Sequence, residues 1–193
     1  MLKFDKNCTL ALQKGEVVII PTDTVYGICA RALDKEAVKK LYAIKNRTNK
    51  PGTVIANSLD QLVEAGFKRR YLKNIEYLWP NSISVVIPTE VDQKYLDLGK
   101  GSIAVRVVGD LGLVNLLSKT GPLLTTSANL PTEKTVTTIR QARQIFGEGI
   151  SYYCEGGLLD GKPSTIVRVI DDNIVVVRAG AVKIDERGAI LST

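Results

Sequence analysis

Residues 17–20 are four consecutive apolar positions closed by Pro21, a pattern that predicts a buried strand emptying into the loop PTDTVYG. Asp34 then stands where a helix N-cap belongs. Ala37, Val38, Leu41 and Ile44 recur at spacings of three and four, placing one apolar face on a helix through about Arg47. A strand is predicted over 53–56, then a short helix opened by Ser58 that turns Leu59, Leu62 and Val63 inward. Residues 68–80, KRRYLKNIEYLWP, are helical in pattern up to the proline. Residues 84–87 and 102–108 read as strands, the second strongly β-branched. A helix over 111–117 precedes a strand over 123–126 that ends in Ser-Ala-Asn. An amphipathic helix over 137–146 is stopped by Gly147, and strands follow near 150–154, 165–170 and 174–177. The tail from Ala179 carries no readable pattern.

Strands alternating with helices predict an α/β fold. The last two strands are separated only by Asp171-Asp172-Asn173 and read as an antiparallel hairpin. The expected architecture is therefore a single twisted sheet, mixed parallel and antiparallel, with flanking helices. No repeat, low-complexity stretch or interdomain linker interrupts the 193 residues, so one domain is expected throughout.

Composition narrows the chemistry. At 45% hydrophobic the chain can bury a core without staples. Cys8, Cys29 and Cys154 are scattered, odd in number and without a C-x-x-C pair, which predicts neither a disulfide frame nor a zinc knuckle and suits a reducing compartment. Cys29 reads as a small core residue. The opening MLKFDKNCTL lacks the apolar core of a signal peptide, and no apolar run approaches a membrane span, so a soluble, cytoplasmic protein with no membrane partner is expected. The formal charge of +6 favours anionic partners. The absence of histidine says more. It removes Ser-His-Asp and Cys-His triads, H-E-x-x-H zinc sites and imidazole proton shuttles. No protein metal site is predicted. Chemistry must run on carboxylates, Lys, Arg, hydroxyls, backbone amides or a carried metal, which suits attack on a phosphoryl group.

Residues 156–162, GGLLDGK, match the spacing of a phosphate loop, but Pro163 replaces the magnesium-binding hydroxyl and a strand, not a helix, follows. The glycines read instead as a β-turn connection.

Four other segments place polar groups at the ends of apolar elements, where ligands of open α/β sheets converge. Thr22-Asp23-Thr24 offers two hydroxyls and a carboxylate able to hold an amino acid, or simply a hydroxyl-stabilised turn. Lys45 and Arg47, with Lys50 just beyond, gather cations at a helix end, where they read as exposed and suited to phosphate oxygens. Thr125, Thr126, Ser127 and Asn129 bring hydroxyls and an amide to a strand end. Lys162-Pro163-Ser164-Thr165 and Arg178 flank the last strands. Arg106 lies inside the apolar strand SIAVRVV and needs an anionic partner, either a structural carboxylate or that of a ligand.

PTDTVYG, a helix ending in K-x-R, WP, IAVRV, SAN and GG…STIV, in this order, resemble the YrdC-like family from about residue 15 to 180, leaving a short C-terminal tail and no C-terminal extension domain. The resemblance implies a single twisted α/β domain with a positively charged concave face. It implies synthesis of threonylcarbamoyl-AMP and pyrophosphate from L-threonine, bicarbonate or CO2, and ATP, with Mg2+ carried by the ATP. The product would feed a downstream threonylcarbamoyl transferase complex acting on adenosine-37 of tRNA, with a possible direct tRNA contact. Carried over by motif, Lys45, Arg47, Ser127 and Asn129 form the catalytic, phosphate-side tetrad. Thr24, Arg106, Thr125 and Ser164 bind threonine, and Lys50, Ser102 and Arg178 join the ATP contacts. The chain departs from the family pattern at Thr48, at Gly52 in place of leucine, at Asn81-Ser82-Ile83-Ser84 and at Leu130-Pro131 after SAN. Two rivals stand beside this reading. One is a non-catalytic RNA-binding module, supported by the charge and by Lys68-Arg69-Arg70-Tyr71. The other is a divergent member acting on another amino acid or a carbamoyl group.

Overall fold

The computed structural model describes residues 1–191. The main sheet comprises β1 (Val18–Pro21), β2 (Tyr26–Arg31), β3 (Thr53–Ala56), β4 (Ile83–Pro88), β5 (Ser102–Val107), β6 (Leu123–Ser127), β7 (Tyr152–Tyr153), β8 (Thr165–Ile170) and β9 (Asn173–Arg178). A small separate hairpin joins β10 (Lys183–Ile184) to β11 (Ile190–Leu191). The helices are α1 (Lys6–Gln13), α2 (Lys35–Ile44), α3 (Leu59–Glu64), α4 (Arg69–Lys73), α5 (Lys94–Asp97), α6 (Leu111–Thr120) and α7 (Ile139–Phe146). The nine strands lie in the order β7-β1-β2-β6-β3-β5-β4-β8-β9. Pairing is parallel for β1–β7, β3–β5 and β4–β8 and antiparallel for the rest, so the expected mixed α/β sheet is what forms.

Strand alternation gives the sheet two unlike faces. One carries Tyr26, Ile28, Val54, Val85, Val105 and Leu124 into the larger core, where Val38 and Leu41 of α2, Leu62 of α3, Leu72 of α4, Leu96 of α5 and Ile139 of α7 close over them. The opposite face carries Val18, Ile20, Cys29, Ile55 and Leu123 against Cys8 and Leu12 of α1 and Leu113, Leu116 and Leu117 of α6. Ala104 and Arg106 alternate with Ile103 and Val105 on β5 and so point to this second face. There the sheet next to Thr53 and Thr125 is left as a cleft.

Several expectations need correction. The expected loop PTDTVYG is cut short at Tyr26, because residues 26–31 form β2, buried on both sides and therefore without alternation. The segment 68–80 is not one helix. α4 stops at Lys73 and a 3-10 turn follows at Glu76–Leu78, matching the spacing of three between buried Leu72, Ile75 and Leu78. α2 ends at Ile44, not Arg47. The strand expected over 150–154 shrinks to β7. Helices α1 and α5 and the tail hairpin carried no readable pattern, and the final two residues of the tail lie outside the described residues. The β8–β9 hairpin turns where expected, with Asp171 at φ 47° and Asp172 at φ 61°, the left-handed pair of a type I′ turn.

Candidate active site

The cleft is open to solvent and is walled by six separate stretches of chain. The β1–β2 turn contributes Thr22 and Thr24, and the segment after α2 contributes Arg47. Arg106 comes from β5, Thr125 and Ser127 from β6, and Ser164 and Arg178 from the ends of β8 and β9. An adjoining hollow is bordered by Lys45, Lys50 and Asn129 and shares Arg47 with the cleft. Ser102 borders neither. It opens β5 opposite Pro88, four residues from Arg106, or about 13 Å along the strand.

Arg106 is 3% exposed. Its Nη2 donates to Asp23 Oδ1 at 2.9 Å, while Nε and Nη1 have no hydrogen-bond partner among the described residues. One oxygen of the Asp23 carboxylate anchors the arginine, a use the turn by itself did not suggest. A buried N–H left unmade costs about 1–3 kcal/mol, so the guanidinium presents two expensive donors beside a cleft. Arg178 Nη2 donates to Ser164 O at 2.6 Å and Oγ at 3.3 Å, and Ser164 Oγ lies 3.0 Å from Ser84 Oγ. Burial, then the charges of Arg106 and Arg47, pulls Arg178 below its ordinary value. Three guanidiniums thus line a cleft that no carboxylate lines, with only Arg106 paired to an acid, and the cleft favours anions.

The hydroxyls divide by role. Thr22 Oγ1 donates to Val25 O at 2.6 Å and accepts from the Val25 amide at 3.2 Å, shaping the β1–β2 turn. Thr24 lines the cleft. Thr125 Oγ1 accepts from Cys29 Sγ at 3.2 Å. Its seat exists because residue 27 is glycine: a Cβ there would lie 2.5 Å from Oγ1.

The K-x-R pair is arranged differently from the expectation of two exposed cations. Lys45 caps α2, Asn46 takes the left-handed φ of 47°, and the amides of Asn46 and Arg47 bond back to Ala43 O and Tyr42 O. This Schellman closure turns the chain sharply between the two side chains. Lys45 is only 3% exposed. Its ammonium donates to Ser127 O at 3.0 Å, to Asn129 Oδ1 at 3.3 Å and to Asn129 O. Burial, with Arg47 adding, pulls it down to about 8. Ser127 Oγ donates to Asn129 Oδ1 at 2.6 Å, and Asn129 Nδ2 donates to Leu130 O at 2.8 Å and Glu133 O at 2.9 Å. Lys45, Ser127 and Asn129 therefore form a closed network around the loop after β6. Arg47 Nη1 donates to Lys50 O at 3.2 Å and Pro51 O at 3.3 Å, leaving Nε and Nη2 without a protein partner among the described residues.

Three further side chains had no sequence signal. Tyr42 accepts from the Gly52 amide at 3.1 Å and donates to Leu96 O, pinning the loop that carries Arg47. Tyr26 Oη accepts from the Gly156 amide and donates to Gly157 O, each at 2.9 Å. Cys29 was legible as core but not as a partner of Thr125. Residues 156–162 form an irregular connection and not the expected β-turn. A Cβ at Gly156 would lie 2.3 Å from Pro21 Cβ, so that glycine serves close approach. In the basic run, Lys68 pairs with Glu90 at 2.7 Å and Arg69 pairs with Asp60, so two of the three cations behind the RNA-module reading have acidic partners, while Arg70 stacks 4.8 Å from the Tyr71 ring. Among the described residues no three His, Cys, Asp or Glu gather as metal ligands, and no helix is long and apolar enough to cross a membrane.

Comparison with known proteins agrees with this architecture. Residues 10–180 match the family model Sua5_yciO_yrdC, described as Telomere recombination. The chain is 36% identical over 165 residues to the threonylcarbamoyl-AMP synthase of Pseudoalteromonas translucida, covering 80% of this chain and 87% of that protein. It is 30% identical over 175 residues to a putative threonylcarbamoyl-AMP synthase of Methanocaldococcus jannaschii, covering 89% and 83%. Among solved structures, Pyrococcus abyssi Sua5 complexed with L-threonine superposes with a TM-score of 0.80 at 26% identity. That match covers 91% of this chain but 54% of the Sua5 chain, so this chain spans about half its length. Escherichia coli YciO shares the fold at a TM-score of 0.77 and 23% identity.

Proposed function

The chain belongs to the Sua5/YciO/YrdC family, and from that premise we propose that it is a threonylcarbamoyl-AMP synthase, a nucleotidyltransferase that joins L-threonine, bicarbonate or CO2, and ATP. The observation that carries the reading is the buried Arg106, with Nε and Nη1 unpartnered beside a cleft walled by Thr24, Thr125 and Ser164. Unmade donors on a buried guanidinium call for an anionic partner, and the carboxylate of an amino acid supplies one. The neighbouring hydroxyls suit the remaining polar groups of threonine. A site that hydrogen-bonds a substrate hydroxyl rejects analogues lacking it.

In the proposed reaction the amine of threonine adds to CO2, forming an N–C bond and releasing a proton to solvent. The carbamate oxygen attacks the α-phosphorus of ATP, the bond to the β-phosphate oxygen breaks, and pyrophosphate leaves. Arg106 holds the carboxylate and Arg47 supplies charge at the phosphoryl group. Lys45 and Asn129 act by fixing the loop that carries Ser127 beside that charge. Lys50 and Arg178 add positive charge at the rims where the triphosphate is proposed to lie. Ser102, outside both hollows, would meet the nucleotide only at its far end. The donor set does not suit a resident divalent cation, since no carboxylate lines the cleft and Asp23, behind it, is paired with Arg106. Magnesium is proposed to arrive with the triphosphate. The product would pass to a downstream threonylcarbamoyl transferase complex acting on tRNA. The test is pyrophosphate release from ATP, with and without L-threonine and bicarbonate. Release that depends on both, and is weak with valine, is expected; release indifferent to threonine rejects the proposal.

A further inference from the structure

The Thr125 hydroxyl has a single hydrogen-bond partner among the described residues, and that partner is a thiol. Cys29 and Thr125 sit directly opposite each other in the β2–β6 ladder, so strand register holds Sγ 3.2 Å from Oγ1. Cys29 is fully buried, and burial pushes its thiol up to about 12, so the S–H proton is present at any working pH. A hydroxyl has one proton and two acceptor lone pairs. Accepting from the thiol occupies one lone pair and turns the Thr125 proton away from Cys29. Gly27 closes another side, within 2.5 Å of Oγ1 if it carried a Cβ. The side that remains is the cleft, which Thr125 lines.

We propose that Cys29 is a positioning residue: its thiol occupies the acceptor side of Thr125 and makes that hydroxyl a fixed donor toward an oxygen of the amino-acid substrate. Thr125 then works with Arg106 on substrate oxygens, and the substrate nitrogen is served by other groups. The inference rests on the amino-acid reading of the cleft.

The experiment compares wild type, Cys29→Ala, Cys29→Ser, Thr125→Val and the Cys29→Ala/Thr125→Val double variant. L-threonine affinity is read by calorimetry, and KM for threonine and for ATP by pyrophosphate release. One hydrogen bond corresponds to roughly a two- to tenfold change. Cys29→Ala should weaken threonine binding and raise its KM by that factor, with the ATP KM unchanged. Cys29→Ser keeps a donor on the same Cβ and should stay near wild type. In the Thr125→Val background, Cys29→Ala should add nothing. Several outcomes would overturn the proposal: Cys29→Ala binding threonine as well as or better than wild type, Cys29→Ser losing as much as Cys29→Ala, or an equal loss in both backgrounds, which is the mark of packing alone. A wild-type protein that binds no threonine overturns both this inference and the functional reading. Normal wild-type binding with an unaffected Cys29→Ala protein overturns this inference alone.

Discussion

If Arg106 is held in readiness for a ligand carboxylate, removing it together with its anchor should leave the folded protein no less stable while abolishing threonine binding. The perturbation is the double substitution Arg106→Met/Asp23→Asn. It deletes one ion pair of 2.9 Å and two buried donors that have no partner among the described residues. Unmade buried donors cost about 1–3 kcal/mol each, and replacing a buried pair by apolar or neutral groups of similar size is commonly neutral or stabilising by about 1–4 kcal/mol. The unliganded double variant should therefore melt at or above wild type, each kilocalorie being worth about 2–4 °C for a domain of this size. Arg106→Met alone should melt lower, because it leaves the Asp23 side chain, only 14% exposed, without its partner. Threonine at a hundred times its dissociation constant should add about 2.7 kcal/mol to wild type and nothing to either variant. Thermal melts with and without L-threonine read both quantities at once. A double variant that loses several kilocalories yet keeps its threonine shift would show that Arg106 is structural and that the carboxylate binds elsewhere.

Lys45 should leave a signature in alkaline melts. Its folded value of about 8 lies below the ordinary 10.5, so the unfolded chain holds more protons between those values and stability rises with pH across that window. The melting difference between wild type and Lys45→Met should widen in favour of wild type from pH 8 to 10.5, by up to about 3 kcal/mol, and be flat below pH 7. A flat difference throughout would contradict the burial argument. Arg47→Ala should lower threonine-dependent pyrophosphate release about a hundredfold at a cost to the fold of no more than about 2 kcal/mol, with Arg47→Lys failing to restore it fully. Near-normal release from a well-folded Arg47→Ala protein would remove Arg47 from the mechanism. Thr132 is a β-branched residue at φ 68° in the turn closed by the Glu133 amide on Leu130 O. Thr132→Gly should raise the melting point by the equivalent of about 1 kcal/mol, and a fall would show that the threonine side chain contributes more than its strain costs.

What the sequence made legible follows from how local each cause is. β3 and β8 have the bounds expected of them because their ends are written in neighbouring turn residues. β2 was invisible because burial on both faces erases alternation and Gly27 reads as a breaker, although glycine there is what admits Thr125 Oγ1. The same limit governs the site. Each cleft residue stands in a short motif at the end of an element and could be named, but its partner is far away in the chain. Arg106 and Asp23 are 83 residues apart, and Lys45 and Ser127 are 82. Spacing carries no trace of such pairings, so the sequence shows neither the anchoring of Arg106 by Asp23 nor the burial of Lys45.

Under the proposed reaction, the distinction between fixings and free groups explains how one cleft would serve two unlike substrates. Asp23 pairs with one of three guanidiniums, yet burial and then repulsion from Arg106 and Arg47 still depress Arg178. Donors satisfied within the protein, those of Lys45 and Asn129, hold the loop on which Ser127 sits and need not move when a ligand arrives. Donors left unmade, Nε and Nη1 of Arg106 and Nε and Nη2 of Arg47, are the groups whose energy falls when an anion enters. Preorganised charge of this kind requires little reorganisation at the moment of reaction, and its cost is borne by the folded state beforehand. A histidine-free chain therefore does not need a strong base to drive phosphoryl chemistry, provided the acid-side charge is already in place and the nucleophile is a carbamate that forms with its proton already lost.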